Sequence, residues 1–392
     1  MTTAEYASAF DAITSERLRA NGSLKWSKFP GAIGAWVAES DFGVAPGIRA
    51  ALQDALDRGL FGYAPPRLLA GLQEATADWY DREYGWSIEP RQVRAVPDVL
   101  TVLHLICTDY LPARSTVVLP TPAYMPFVTI PPRHGHHLVQ VELATDGDRW
   151  VYDLAALEAA FAAGGRLLIL CNPHNPVGRV LEREELLAIA ELVERYDVLV
   201  FSDEIHAPLV YEGHRHVPYA SLTDATAAHT ITATSASKAF NLPGLKCAQL
   251  IHTSPALARR WAGVGALAEE AVNNLGLIAN VAAYRDSRDW LAAEIAYLDG
   301  NRHLLRDLLA ERLPAVSVTV PEGTYLSLVD CRALELGEPP ATFFQREAGV
   351  ALTDGALCGG AGDGYVRFNL ATPRPILEEA VARMAEAVLR RG

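Results

Sequence analysis

The sequence predicts an α/β protein built on a mostly parallel sheet. Three segments share one layout, in which an apolar, strand-like run ends in polar residues: RLLILCNPHNPVG (166–178), DVLVFSDEIHAPL (197–209) and HTITATSASKAFN (229–241). The helical patterns DLAALEAAFAAG and REELLAIAELVERY precede the first and the second of these runs. Strands that alternate with helices of this length are typical of βαβ units, whose strands lie parallel.

The composition and net charge of the chain exclude several broad classes of protein. The chain has 392 residues, half of them hydrophobic, which favours more than one domain. A formal net charge of −13 argues against binding to nucleic acid or to an anionic membrane surface. The first residues lack the pattern of a signal peptide, and no apolar run reaches the roughly 18–20 residues of a membrane-spanning helix. We therefore expect a cytoplasmic protein.

The number and spacing of the cysteines also favour a location in the cytoplasm. They are odd in number and scattered, and no CxxC pair is present: Cys107, Cys171, Cys247, Cys331 and Cys358. This pattern indicates reduced thiols rather than a disulfide framework.

Polar residues gather where the three predicted strands end. In an open α/β sheet, ligands bind beyond the carboxyl ends of the strands, so these residues are expected to share one crevice. The set contains Asn172, Asn175, Asp203, His206, Ser235, Ser237 and Lys238. Any one of them could simply cap its own turn or helix, but their coincidence at three strand ends favours a binding site.

The chemistry of this set fits pyridoxal phosphate (PLP). A lysine amine can form a Schiff base with an aldehyde, and the pyridinium nitrogen of PLP needs an acidic partner. An asparagine amide can donate to the ring hydroxyl. Small hydroxyl residues and backbone N–H groups near a helix start can hold the phosphate. The covalent link also explains why Lys238 need not remain a free buried cation.

The ordered motifs NPHNPVG, SDEIH, SASKAFNLPGLK and GYVRFNLA resemble those of fold-type I PLP enzymes of the class I/II aminotransferase superfamily. Within it, SLKW, WVAESDF and FGYAPP are most similar to the MalY/PatB group of cystathionine β-lyases, or C–S lyases. His206 after DEI is the most telling position, because many aminotransferases carry a tyrosine there. The resemblance covers nearly the whole chain and implies the fold-type I PLP-dependent transferase fold.

The resemblance also implies roles for single residues. Lys238 would bind PLP covalently and later move the Cα proton, while Asp203 would keep the pyridine nitrogen protonated. Asn175 would donate to the ring hydroxyl with His206 nearby, and Tyr124 would stack on the ring face.

The remaining implied contacts lie at the two ends of the cofactor. The phosphate would be surrounded by Val99, Leu100, Ser235, Ser237 and Lys246. Tyr63 would reach the phosphate from the neighbouring subunit, which implies a homodimer. Arg367 would clamp the substrate α-carboxylate bidentately, with Ala38 beside the substrate. No metal ion is expected.

Two departures from the group's usual pattern are visible. The segment WVAESDF (residues 36–42), which we call the entrance segment, usually reads close to WVADMDF and lies beside the substrate in such enzymes. Glu39 and Ser40 therefore leave the choice of substrate open. The usual PGVV reads PDVL here, so Asp98 places an acid near the phosphate unless its side chain caps the following helix, VLTVLHLICTDYL.

The expected reaction is α,β-elimination from cystathionine or another cysteine S-conjugate, giving a thiol, pyruvate and ammonia. Transamination by an aminotransferase, or a specialised reaction on thiol conjugates, is the alternative, since both outcomes start from the same carbanion. A non-catalytic binding protein on an enzyme fold is a further alternative, which the intact set of site residues disfavours. The histidines of RHGHH and GHRH lack the further ligands of a metal site, and GGAGDG is interpreted as a turn.

We expect three parts along the chain. Residues 1–45 form an N-terminal segment that joins the small domain, residues 46–275 form the large PLP-binding domain, and residues 276–392 form the small α+β domain. The stretch 286–313 has apolar residues near the helical period and predicts a long linking helix. Strands are expected around VSVTV, TYLSLVD and YVRFNLA.

Overall fold

The computed structural model describes residues 1–147 and 149–391 and confirms the α/β architecture. The helices are α1 (Thr3–Asp11), α2 (Ser15–Asn21), α3 (Leu24–Ser27), α4 (Pro46–Asp57), α5 (Pro66–Tyr84), α6 (Val99–Leu105), α7 (Met125–Arg133), α8 (Leu154–Ala162), α9 (Arg183–Tyr196), α10 (Asp224–His229), α11 (Pro255–Val264), α12 (Ala266–Glu270), α13 (Asn274–Asp286), α14 (Arg288–Arg312), α15 (Pro340–Phe343) and α16 (Arg374–Arg391). The strands are β1 (Ile33–Gly34), β2 (Val93–Val96), β3 (Thr116–Thr121), β4 (His137–Glu142), β5 (Ala144–Asp146), β6 (Arg149–Val151), β7 (Gly165–Cys171), β8 (Leu199–Asp203), β9 (Thr230–Thr234), β10 (Ala248–Ile251), β11 (Ser317–Val318), β12 (Leu326–Asp330), β13 (Val350–Ala351), β14 (Thr353–Asp354) and β15 (Tyr365–Asn369).

A seven-stranded sheet forms the centre of the molecule, with strand order β2-β10-β9-β8-β7-β3-β4. Its strands pair in parallel except that β10 runs antiparallel to both of its neighbours. Successive residues of β7 pack on opposite faces: Leu167 and Ile169 contact one apolar cluster, and Leu168 and Leu170 contact another. A strand covered on both faces must be apolar on both, which explains the continuous run RLLILC.

The three predicted strand ends are neighbours in this sheet. Strands β7, β8 and β9 lie side by side and parallel, so their carboxyl ends meet at one edge. Helix α8 precedes β7 and α9 precedes β8, as the helical patterns predicted. Helix α9 begins with a capping box between Glu182 and Glu185, and the residue that follows it, Asp197, caps its end in a left-handed conformation.

A second, four-stranded antiparallel sheet has the order β11-β12-β15-β14. The long helix α14 leads into it, as predicted for residues 286–313, and packs against α16. The N-terminal residues join this part of the chain, because β1 pairs in parallel with β13 and α1 packs on α14.

Several smaller expectations can be compared with the structure. The GGAGDG stretch forms a 3-10 turn at Gly360–Gly362, in agreement with the turn interpretation. The helix predicted after Asp98 is α6, which continues as a π-helical turn over Ile106–Tyr110. In the described part of the chain, no helix combines the length and apolarity needed to cross a membrane. Across residues 1–147 and 149–391, no group of three or more His, Cys, Asp or Glu side chains is arranged to hold a metal ion.

Candidate active site

A cavity of about 230 Å³ lies where the carboxyl ends of β7, β8 and β9 meet the entrance segment. It brings together most of the residues that the sequence predicts for the site. Those that line it are Ala38, Val99, Leu100, Tyr124, Asn175, Asp203, His206, Ser235, Ser237, Lys238, Lys246 and Arg367. Asn172 is not among the lining residues; its side-chain oxygen instead accepts a hydrogen bond from the backbone of Leu181 at 3.0 Å.

Lys238 follows β9 and lies half-buried in the cavity wall. Its Nζ donates to the carbonyl oxygen of Ala38 at 3.0 Å. Burial, together with the positive charge of Arg367, lowers the pKa of Lys238 to about 8. A lysine with such a pKa is deprotonated in a useful fraction near neutral pH, which suits both attack on an aldehyde and removal of a proton.

Asp203 is the last residue of β8 and is 2% exposed. Burial raises the pKa of Asp203 to about 7, although a hydrogen bond of 3.1 Å from the Ile205 N–H and the charge of Lys238 act in the opposite direction. Burial of this kind disfavours a carboxylate until a positive charge is placed beside it. Asp203 is therefore suited to pair with a positively charged group on a bound ligand.

Arg367 lies on β15 and is 2% exposed. Its Nη1 donates to Asn175 Oδ1 at 3.1 Å, and its Nη2 donates to the carbonyl of Trp36 at 2.8 Å and to Thr353 Oγ1 at 3.3 Å. These partners are all neutral, and burial lowers the pKa of the guanidinium. Its Nε has no hydrogen-bond partner in the described part of the chain. A buried cation with neutral partners and a free donor fits an anionic ligand such as a carboxylate.

His206 lies beside Asp203 on the loop that follows β8. It is 2% exposed, and its ring contacts Tyr325 edge to face with the centroids 5.9 Å apart. Burial, followed by the charges of Lys238 and Arg367, lowers the pKa of His206 well below its usual value. The ring is therefore neutral, and its Nδ1 has no hydrogen-bond partner among the described residues.

The far end of the cavity contains the residues predicted for the phosphate. Asp98 caps α6: its Oδ1 accepts from the Thr101 N–H at 2.8 Å, and its Oδ2 accepts from Lys246 Nζ at 2.9 Å. Burial opposes the charge of Asp98, but the hydrogen bonds from Lys246 and Thr101 outweigh burial and lower its pKa. The acid therefore turns towards the helix and the lysine, as the capping alternative required.

The two serines at this end differ in how they are used. The hydroxyl of Ser235 donates to the carbonyl of Cys247 at 2.8 Å and accepts from the Ser237 N–H at 3.0 Å. It therefore already has protein partners. Ser237 lines the same cavity and is 9% exposed.

Tyr124 lies at the start of α7, half-buried, with its ring against Phe127 at a centroid distance of 5.4 Å. Burial raises the pKa of Tyr124, which keeps the hydroxyl protonated. Tyr63, in contrast, is fully exposed and does not line the cavity of its own chain. It lines a separate surface depression of about 860 Å³, between residues 60–64 and the helices α12 and α13.

Other lining residues were not assigned a role from the sequence. Trp36, Val37 and Met125 line the end nearest Arg367, and Cys171, Cys247 and Ile205 line the interior. Asn369 donates to the carbonyls of Val37 and Glu39 and so holds the entrance segment. The motif GYVRFNLA contains Asn369 and could have suggested it, whereas the carbonyl partners depend on tertiary contacts.

The geometry fits PLP. A nucleophilic amine (Lys238) and a buried acid (Asp203) share one cavity with an imidazole (His206) and an amide (Asn175). Helix-start residues and a lysine lie at the far end. The unpartnered Nε of Arg367 and Nδ1 of His206 are polar atoms with which a ligand could form hydrogen bonds.

Comparison with known proteins agrees with this set of residues. The profile of the family described as aminotransferase class I and II matches residues 36–384. A cystathionine β-lyase of Corynebacterium glutamicum is 37% identical, over 95% of this chain and 98% of the relative. Cystathionine β-lyase PatB of Bacillus subtilis is 32% identical, over 93% and 96%. A structure from Corynebacterium diphtheriae, provisionally named a PLP-dependent β-cystathionase, is 40% identical with a TM-score of 0.91 over 96% of this chain and 98% of that one. The chain therefore belongs to the aminotransferase class I and II family.

Proposed function

We propose that the protein is a PLP-dependent C–S β-lyase that cleaves cystathionine or another cysteine S-conjugate to a thiol, pyruvate and ammonia. The observation that carries the proposal is that the Lys238 amine and the buried Asp203 carboxyl line one cavity. The lowered pKa of the lysine and the raised pKa of the aspartate agree with this pairing. The names of the similar lyases support the choice of reaction, because the residues alone fit more than one PLP reaction.

The contacts described above support the following binding roles. Lys238 would be the covalent attachment point of the cofactor, and Asp203 would hold the proton on the pyridine nitrogen. Asn175 and His206 would lie near the ring hydroxyl, and Tyr124 would cover one ring face. The phosphate would be held by Lys246, Ser237 and the backbone of Val99 and Leu100. Ser235 would lie beside it, with its hydroxyl proton donated to the Cys247 carbonyl.

At the substrate, Arg367 binds the α-carboxylate and fixes the orientation of the Cα–H bond. Bound PLP supplies an electron sink for the negative charge that develops at Cα. Once the substrate amine has replaced Lys238 on the cofactor, the freed Nζ would remove the Cα proton. The Cβ–S bond would then break, and its electron pair would leave with sulfur as a thiolate. The unsaturated product hydrolyses to pyruvate and ammonia. Because a thiolate leaves readily, the protein contributes mainly orientation and charge stabilisation.

A homodimer is part of the proposal. Tyr63 is fully exposed, Phe61 is 69% exposed and Leu267 is 81% exposed, and the first two line the surface depression described above. Exposed aromatic and apolar residues around a concavity are typical of an interface. In such a dimer, Tyr63 reaches the phosphate of the neighbouring subunit.

We also propose the boundaries of the domains and the cellular compartment of the protein. The three parts are residues 1–45, 46–275 and 276–392, and the pairing of β1 with β13 supports the association of the first with the third. The five cysteines are all free thiols, which supports a reducing compartment such as the cytoplasm.

The function is tested with purified holoenzyme and a panel containing cystathionine and simpler cysteine S-conjugates. We expect thiol and pyruvate to appear in equal amounts without any added 2-oxo acid. A reaction that requires a 2-oxo acid and yields no thiol would instead establish an aminotransferase.

A further inference from the structure

The backbone of the entrance segment is held by side chains at each of five successive carbonyls. The donors come from the seven-stranded sheet region, the four-stranded sheet and the N-terminal residues. The carbonyl of Trp36 accepts from Arg367 and Thr353, that of Val37 accepts from Asn369, and that of Ala38 accepts from Lys238 and Tyr325. The carbonyl of Glu39 accepts from Asn369 and Lys25, and that of Ser40 accepts from Asn241.

Two of these donors are the cations proposed for the reaction. The carbonyl of Ala38 accepts from Lys238 Nζ at 3.0 Å, and the carbonyl of Trp36 accepts from Arg367 Nη2 at 2.8 Å. The position of the entrance segment therefore determines where the amine and the guanidinium lie. A displacement of about 1 Å at such groups can cost on the order of a hundredfold in rate.

Ser40 connects this segment to its surroundings on two sides. Its N–H donates to Asn241 Oδ1 at 3.1 Å and its carbonyl accepts from Asn241 Nδ2 at 2.9 Å. Its hydroxyl donates to Glu294 Oε1 at 2.8 Å. The serine is one of the two departures from the usual WVADMDF pattern, and its side chain faces α14 rather than the cavity.

Glu294 is an unexpected residue at its position on α14. It is 1% exposed, and its second oxygen, Oε2, has no hydrogen-bond partner among the described residues. Burial raises the pKa of Glu294 to about 8, with the Ser40 hydrogen bond acting in the opposite direction. A buried carboxyl with one partner is unfavourable, and an apolar side chain would fill the same space more favourably. A role for Glu294 must therefore lie in the hydrogen bond that its carboxyl group accepts from Ser40.

We propose that Glu294 is a positioning residue that, through the hydroxyl of Ser40, fixes the entrance segment so that the carbonyl of Ala38 holds Lys238 in register for the reaction. The proposal rests on the function proposed above for its kinetic consequences, but not for its structural ones. It assigns a role to the Ser40 departure: the serine anchors the segment to α14.

The test compares Glu294→Leu, which removes the hydrogen-bond acceptor, with Glu294→Gln, which keeps it. We expect Glu294→Leu to be as stable as the parent protein or more stable, yet to lose about tenfold in kcat/KM, mainly in kcat. Glu294→Gln should recover activity to within about twofold to threefold. Glu311→Leu, at an exposed position on the same helix, is the matched control and should leave kinetics unchanged.

Two further measurements keep the proposal falsifiable. Ser40→Ala should reduce kcat in the parent protein and have no further effect in the Glu294→Leu background. The pH midpoint of the visible absorption band of the holoprotein reports the surroundings of Lys238, and it should shift in Glu294→Leu but not in Glu311→Leu. If Glu294→Leu retains kcat and this midpoint, or if Glu294→Gln is equally impaired, the proposal is wrong. If the parent protein cleaves no C–S bond, the proposed function fails, while the shift in absorbance still decides the role of Glu294.

Discussion

Arg367 and Asn175 are joined by a hydrogen bond of 3.1 Å from Nη1 to Oδ1, which links the four-stranded sheet to the turn after β7. The first residue is proposed for the substrate carboxylate and the second for the cofactor ring. One hydrogen bond therefore connects the residue proposed to bind the substrate with a residue proposed to bind the cofactor.

Arg367→Lys tests the carboxylate clamp. Lysine keeps the positive charge but loses the planar pair of donors, so we expect kcat/KM to fall about a hundredfold, mainly through KM. Steady-state kinetics with a cysteine S-conjugate measure the effect. The control is Arg332→Lys, since that side chain is 62% exposed and pairs with Asp330. An unchanged KM in Arg367→Lys would remove Arg367 from the substrate site.

Asp98→Asn tests the acid at the phosphate end. Asparagine can still cap α6, but it no longer neutralises Lys246, whose charge then becomes available to a phosphate. We expect PLP to bind about threefold more tightly, with a smaller gain at high salt because the ion pair is partly exposed. Titration of tryptophan fluorescence in the cofactor-free protein measures the affinity.

A matched control for that variant is Asp153→Asn, because Asp153 caps α8 in the same way. This change should leave PLP affinity unaltered. If Asp98→Asn instead weakens binding, the main effect of Asp98 is to orient Lys246 rather than to neutralise its charge.

Glu294 should give the cofactor-free protein a specific pH dependence of stability. Its pKa is about 8 in the folded protein and 4.5 in the reference state, so the folded protein binds the additional proton between these values. The free energy of unfolding should therefore fall as the pH rises from about 5 to 8, by on the order of a few kcal/mol. Urea unfolding of the parent protein and of Glu294→Gln measures the difference. Parallel pH profiles for the two proteins would exclude this titration.

A shared active site in a homodimer can be tested by subunit mixing. Lys238→Ala and Tyr63→Ala should each be impaired alone, because each dimer then lacks one group at both sites. In a hybrid dimer, one site combines an intact Lys238 with the partner's intact Tyr63. Random mixing makes about half of the dimers hybrids with one restored site each, so we expect about a quarter of the parent activity. No recovery after verified exchange of subunits would place Tyr63 outside the neighbouring site.

Much of the fold could be predicted from the sequence because its signals are local. The apolar run RLLILC predicts a strand that is buried on both faces, and the amphipathic pattern of α9 predicts a helix with one buried face. The parallel order of β7, β8 and β9 then follows from βαβ connections, and with it the meeting of Asn175, Asp203 and Lys238.

Other features depend on contacts between residues that are far apart in the chain. The bond from Ser40 to Glu294 spans 254 positions, and no local pattern indicates it. The engagement of Ser235 with Cys247 likewise arises from the pairing of β9 with β10. The choice between capping and repulsion at Asp98 was open from the sequence, and the position of Lys246 in space decides it.

The most direct test of the account is the site of cofactor attachment. Holoprotein is treated with borohydride, which reduces a lysine–PLP Schiff base to a stable amine, and is then digested and analysed by mass spectrometry. The account predicts that the cofactor mass is found on the peptide containing Lys238 and is absent from Lys238→Ala. Attachment at another lysine of the parent protein, or recovery of unmodified Lys238 from a PLP-saturated sample, would contradict it.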